Sequence, residues 1–549
     1  MELVMKEKTK IGLEILQTAL LLGILGDVLL RSDEPGLNVL LVLGAVTAAM
    51  IMLVLRHRRG TYDNRIWALH GALVFFAAMF AWRDSDELRA WDVFAIFGIG
   101  AVLILPSLRI KVHLAGFSHY ILGIIVSGIN VFFAPFLLMM ADIKWSSPAR
   151  NGWSRHVVSV LRGLLIAAPL LLIFGGLFMA ADAVFEGVVN RTFNIVPDVV
   201  ISHIFLTVFF TWVTAGYLRG FLFEIFALET VDMGMNVPSA VVSVTEPVEE
   251  KAETETAAAS TKEEEKPKQR NWQDFDNSIL PKVLTLGGVE TAIVLGLLDL
   301  LFLSFVIIQI PYLFGGMDLV QNTPDFKLAE FARRGFGELV AVSALVLPIL
   351  LVSHWLLRKD KPVNEKLFRV LAGIQIVLLF VIMASAAQRL LLLTGPVGYG
   401  LTTTRFYPMA FMIWLAVVFG WFAVTVLRGA RQHFAWGAIW SALFILGALH
   451  FVNPDAFIVR TNLKLMQQGR EFDARYNAYL SADSVPVLME GLPAMNPEQQ
   501  VEVKSILSTK MSIVCTGEDF RSWNWSRSVA RNLIHEQIGP TESGTCSGL

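Results

Sequence analysis

Two cysteines in 549 residues are too few for a disulfide scaffold. No Cys-x-x-Cys, His-Glu-x-x-His, Walker loop or Gly-x-Ser-x-Gly occurs, so the common metal, nucleotide and serine-hydrolase signatures are missing. Charge is scarce too. Only 17% of residues are charged, where a soluble domain carries about 25%. The 45 basic and 47 acidic residues leave a net charge of −2, which excludes a nucleic-acid binder built on excess positive charge. What the chain has instead is apolar residues, 55% of the total, with a mean hydropathy of +0.58.

These apolar residues fall in blocks of about 20, the length that crosses a hydrocarbon core of about 30 Å. Eleven spans are expected: Ile11–Leu30, Gly36–Leu55, Ile66–Trp82, Trp91–Leu108, Val157–Ala181, Asp198–Phe223, Val283–Phe305, Gly335–Leu357, Leu367–Leu391, Phe406–Leu427 and Phe434–Phe451. A further apolar stretch, Leu114–Met140, carries His119, Tyr120, Asn130 and Pro135. It reads as a broken, re-entrant or interfacial segment. Basic residues at Lys6–Lys10, Arg56–Arg65, Arg109–Lys111, Lys144–Arg155, Arg358–Arg369 and Arg428–Arg431 fall on one side if that segment does not cross. The positive-inside bias then places the amino terminus in the cytoplasm and the carboxyl end outside. The expected fold is all-α, a polytopic transmembrane bundle of about eleven spans with a small helical extracytoplasmic domain. The expected setting is the bacterial inner membrane. The first span ends in Leu29-Leu30-Arg31 with no small-x-small cleavage site, so it reads as a retained span.

Four regions follow. Residues 1–228 form an amino-terminal membrane half of six spans plus the interfacial segment. Residues 229–272 form an acidic cytoplasmic linker, whose ten acidic and five basic residues up to Arg270 offer too little apolar surface to fold. Residues 273–452 hold five more spans. Residues 453–549 form the exported helical domain, with helices expected over Pro454–Gln468, from Asn496-Pro497-Glu498 to about Met511, and over Ser526–Ile538. Both cysteines, Cys515 and Cys546, lie here. An oxidising compartment would permit a disulfide between them; the alternative is two unpaired thiols.

Candidate chemistry rests on a few charges. Glu14 and Asp299 lie within spans, where a carboxylate must find a partner or a proton. Asp299 suits proton or cation transport, or a packing hydrogen bond. His70, His203, His354 and His450 sit in or beside spans and read as hydrogen-bonded packing residues; no metal and no cofactor are expected. In Glu330-Phe-Ala-Arg333-Arg334-Gly-Phe-Gly-Glu338, helical spacing pairs Glu330 with Arg333 and Arg334, and Arg334 with Glu338. This is either an anion site or a self-satisfied ion ladder. A second outer loop sets Thr402, Thr403 and Thr404 beside Arg405 and Tyr407, a candidate oxyanion cluster. Asp455 follows the last span on the same outer face.

The stretches Tyr312-Leu-Phe-Gly-Gly, Glu330-Phe-Ala-Arg-Arg-Gly-Phe-Gly-Glu-Leu, Tyr399-Gly-Leu-Thr-Thr-Thr-Arg-Phe-Tyr and Asn453-Pro-Asp-Ala resemble those of a bacterial multi-pass membrane family known only as a domain of unknown function. The resemblance covers about residues 300–490, including Asp473 to Pro486. It implies membrane location and fold class, and no reaction. Three functions remain open. One is a sensor or assembly protein that binds a ligand or protein partner at the outer face. The second is a transporter using Asp299. The third is a membrane enzyme acting on an anionic lipid-linked substrate, with Arg333, Arg334 and Arg405 as clamps and Glu330, Glu338, His450 or Asp455 as bases. Lipid is a partner in every case, and nucleic acid in none.

Overall fold

The computed structural model describes residues 2–31, 34–57, 63–143, 197–223, 285–314, 336–358, 362–394, 400–514 and 519–539. The expected span Val157–Ala181, the linker 229–272, the residues Glu330, Arg333 and Arg334, and both cysteines lie outside them. The described residues are helical, with one isolated bridge between Leu286 and Leu357 and no strand.

Among the described residues, ten helices form the two membrane bundles and an eleventh joins them. The first bundle contains α1 (Glu2–Leu29), α2 (Leu37–His57), α3 (Asn64–Trp82), α4 (Asp86–Ile104), α5 (Phe117–Leu137) and α6 (Pro197–Leu222). The second contains α7 (Gly288–Phe314), α8 (Phe336–Leu356), α9 (Pro362–Thr394) and α10 (Thr403–Thr425). The joining helix is α11 (Phe434–Val452): Ala435 and Leu443 pack in the first core, while Phe434 packs in the second with Phe422. Eleven helices among the described residues are long and apolar enough to cross a membrane. Phe97 at 74% exposure, with Phe94, Met140 and Phe444, is typical of their outward faces. In water such a girdle drives aggregation; in hydrocarbon it is the natural surface.

Helix α5 is where a broken, re-entrant or interfacial segment is expected. The stretch read as broken is continuous, ending in a π-helical turn at Leu138–Asp142, and it is one of the eleven. Its polar residues turn inward: Tyr120 donates to the Val112 carbonyl at 2.9 Å, and Asn130 fills a notch left by Gly216 and Gly220 of α6. Its first turns pack where α4 ends, with Gly123 against Ala101 and Leu105. Its last turn meets the start of α1 and the end of α6, through Thr9 to the Asp142 carbonyl and an Arg219–Asp142 ion pair of 2.6 Å. Both ends of α5 therefore touch the end of the bundle that lies away from the C-terminal residues.

The C-terminal residues cap the other end. Here lie α12 (Pro454–Gln467), α13 (Ala474–Tyr479), α14 (Val485–Gly491), α15 (Pro497–Val514) and α16 (Trp525–Ile538). They share a separate core of Ile458, Val459, Leu488, Val503, Leu507 and Ile534, joined by Leu401. Asparagine opens three of the five helices. Asn453 accepts from the Ala456 amide, Asn496 from Gln499 and Asn524 from Arg527. Each satisfies an amide that the first turn leaves orphaned.

Candidate functional site

The cap grips the membrane bundle by the short loop between α3 and α4. That loop reads Arg83-Asp84-Ser85, and the helix before it ends where the chain turns extended. Its polar groups need partners away from water. Asp483 of the cap supplies them. With its side chain 1% exposed, it accepts from the amides of Asp84 at 2.7 Å and Ser85 at 3.0 Å, and from Arg83 Nη1 at 3.3 Å. Ser526 of α16 donates to the same carboxylate and to the Trp82 carbonyl. Asn524 closes the joint, donating to the carbonyls of Phe80 and Arg83. From below, Arg83 Nε donates to the His450 carbonyl at 2.8 Å. The His450 ring meets Asp92 at 2.9 Å, with both side chains buried.

Beside this joint lies a cavity of about 1010 Å³. The membrane bundle contributes Asp84, Asp86, Glu87, Arg89, Ala90 and Thr403; the cap contributes Asp455, Ser481, Lys510, Arg527 and Arg531, and Glu34 stands at the edge. Several charges neutralise one another: Asp84 pairs with Arg89 at 2.5 Å, and Arg527 pairs with Glu34 and lies 3.5 Å from Asp84. Lys510 donates to the carbonyls of Ala478 and Leu480.

Asp455 is 1% exposed, at the first turn of α12. One carboxylate oxygen accepts from the Ser481 hydroxyl and amide; the other has no hydrogen-bond partner among the described residues. Burial pushes its carboxyl up to about 6, with Asp483 and Glu87 adding to the push and Ser481 opposing it. Burial also raises Asp84, against the pull of Arg89. It lowers Lys510, and it lowers Arg527 to about 10. The cavity thus places a carboxyl that can change protonation near neutral pH beside groups of both signs.

Of the residues singled out from sequence, Asp455 lines this cavity, and the Tyr407 hydroxyl lies 3.2 Å from the Ser85 hydroxyl. The threonine cluster is divided: Thr402 and Thr404 bond each other at 2.9 Å, Arg405 donates to the Gly400 carbonyl, and the intervening Thr403 lines the cavity. Glu338 lies in the first turn of α8, in the other bundle. Glu14 is partnered, 2.7 Å from His57. Asp299 is 8% exposed, and neither of its oxygens has a hydrogen-bond partner among the described residues. Gln375 of α9 is likewise buried without one. Gly288 abuts Asn364, and Asp299 and Gln375 each lie eleven residues further on. Eleven residues are close to three turns, which brings the two onto the same facing sides of α7 and α9. Among the described residues no group of three potential ligands could hold a metal.

Fold and site together define a class, that of polytopic helical membrane proteins with a helical cap clamped onto one interspan loop. Within that class, residues 70–491 match the family described as a domain of unknown function, DUF4153, and the chain belongs to it. The match reaches well back into the amino-terminal half, beyond the carboxy-terminal motifs that carried the resemblance, and it takes in both Asp84 and Asp483. No curated protein and no solved structure matches the chain.

Proposed function

We propose that this protein is a ligand-binding sensor or assembly protein of the bacterial inner membrane. The cap lies on the extracytoplasmic side and the cavity beneath it is the binding site. The observation that carries the reading is Asp455. A buried carboxyl with one oxygen unused, lining a cavity of ligand size, is a costly feature for a purely structural joint. The cavity wall is made from both the cap and the membrane bundle, so an occupant touches both. The basic rim expected on the opposite side supports the orientation.

Complementation of a deletion strain, scored by its global transcript profile, tests the reading. Ala90→Trp fills the cavity from an exposed position, and Asp455→Asn removes its titratable carboxyl. Both variants are expected to reach the membrane at wild-type levels and to leave the deletion profile uncorrected. Full correction by both would overturn the proposal.

A further inference from the structure

Below the cavity runs a second hollow, of about 410 Å³ and nearly all apolar. It is the gap between α4 and α10, with α11 as its floor and Phe117, Tyr120 and Ile124 of α5 also lining it. Small residues make it: Gly98, Ala410 and Ala442 leave the space, while Trp91, Trp414 and Leu446 wall it. On α4 it extends from Trp91 to Val102, eleven residues or about 16 Å along the axis. That is the depth of one leaflet, half of a core about 30 Å thick. Its upper end is marked by Tyr407, whose hydroxyl reaches Ser85, and Ser85 in turn lies 3.3 Å from Glu87 in the cavity. The polar cavity and the apolar groove therefore meet across the Tyr407–Ser85 contact.

We propose that cavity and groove together bind one phospholipid with a zwitterionic aminophosphate head. One chain lies in the groove and the head enters the cavity. The inference rests on the reading of the cavity as a binding site and names its ligand class. Charge complementarity selects the head. Once the Asp84–Arg89, Asp86–Arg89 and Glu34–Arg527 pairs are set aside, Glu87 and Asp455 are the lining acids that remain for an ammonium, and Lys510 and Arg531 the lining bases. Across the cavity, Lys510 spends two of its three donors on carbonyls and keeps the third for a phosphate. An anionic head without an amine would leave Glu87 and Asp455 facing negative charge. A cavity of about 1010 Å³ holds such a head with its water.

The test uses the full chain in nanodiscs of equimolar phosphatidylethanolamine and phosphatidylglycerol, extracted with detergent and weighed by native mass spectrometry. Wild type is expected to keep one phosphatidylethanolamine. Gly98→Phe places a ring in the groove, where an added Cβ meets nothing within 4 Å. It is expected to keep about tenfold less, because the ring takes the chain's place. Gly44 of α2 has the same open surroundings outside the groove, so Gly44→Phe is expected to match wild type. Equal retention by Gly98→Phe, equal loss from Gly44→Phe, or preference for phosphatidylglycerol would each overturn the proposal. Complementation separates the two ideas. If Ala90→Trp fails and Gly98→Phe succeeds, the lipid is wrong and the cavity stands; if both succeed, the cavity reading falls as well.

Discussion

Replacing Asp455 by Asn should change the sign of its effect on stability with pH. In the folded protein burial pushes this carboxyl from 3.8 up to about 6. The folded state therefore keeps its proton in a range where the unfolded chain has released it. Stability from this group is complete below about pH 3, falls as pH rises through 4 towards 6, and is flat above. The shift of about two units corresponds to about 3 kcal/mol withheld at pH 7.5. Asn cannot ionise, and it still accepts from Ser481. Its amide brings a donor to the place where Oδ1 has no partner, which costs about 1 kcal/mol. The net expectation is a gain of about 2 kcal/mol at pH 7.5, or roughly thirtyfold in protection, about zero near pH 4.5, and a loss of about 1 kcal/mol at pH 3. The groups facing Asp455 are Asp483 before α14, Glu87 on α4, Tyr407 on α10, Tyr476 on α13 and Lys510 on α15. Asp84 also titrates upward and adds a background slope common to both proteins. Amide hydrogen exchange of α12–α14 in the full chain, corrected for intrinsic rates, reads the difference. A variant less protected than wild type at pH 7.5, or one whose difference does not reverse between pH 7.5 and pH 3, would refute the reasoning.

Three further expectations concern buried polar groups. Asp483→Ala leaves Arg83 and two loop amides without their acceptor, and should cost about 3–5 kcal/mol; limited proteolysis should then cut between α12 and α16 far faster than in wild type. A double-mutant cycle on Asp92→Leu and His450→Leu should give a coupling of about 1–3 kcal/mol, because either single change strands its partner in the core; thermal unfolding in detergent measures it. Asp299→Leu combined with Gln375→Leu should raise the thermal midpoint, since two buried groups without hydrogen bonds give way to apolar packing. A lowered midpoint would mean that the two groups hold each other or a bound cation.

Sequence makes the spans and helix starts legible because their causes are local. A run of twenty apolar residues, or an asparagine before a proline, needs no knowledge of the rest of the chain. The joint is different. Asp84 and Asp483 are 399 residues apart, and His450 lies 358 from Asp92, so no spacing rule connects them. The acids Asp84, Asp86 and Glu87 are plain in the sequence as a cluster between two spans. That the amides of Asp84 and Ser85 meet a carboxylate depends on Asp483 in the cap. Local polarity marks a residue without saying what it meets. Asn130, His119 and Tyr120 look like breaks in a span, yet Asn130 sits where two glycines of α6 make room for it. The threonines beside Arg405 look like an anion cluster because all four are polar. Once α10 forms, the hydroxyls of Thr402 and Thr404 find each other and the arginine turns back to Gly400.

The placement of Asp455 also bears on how an occupied cavity could be felt elsewhere. Helix α11 contributes to both membrane cores, and it ends at Asn453 with φ of 54°, a left-handed turn that asparagine tolerates better than most side chains. Asn453 then caps α12, and its amide group donates to the Asp483 carbonyl at 3.2 Å. The cavity carboxyl lies two residues further on. A ligand that draws on Asp455 thus pulls the first turn of α12, the capped corner before it, and the one helix shared by both bundles. The Asp483 clamp holds the cap to α3 and α4 on the other side of the same corner. Because interiors repack between discrete arrangements rather than stretch, a change at this corner moves the shared helix or breaks the clamp. On the proposed sensor reading, either outcome is the route from an occupied cavity into the membrane helices.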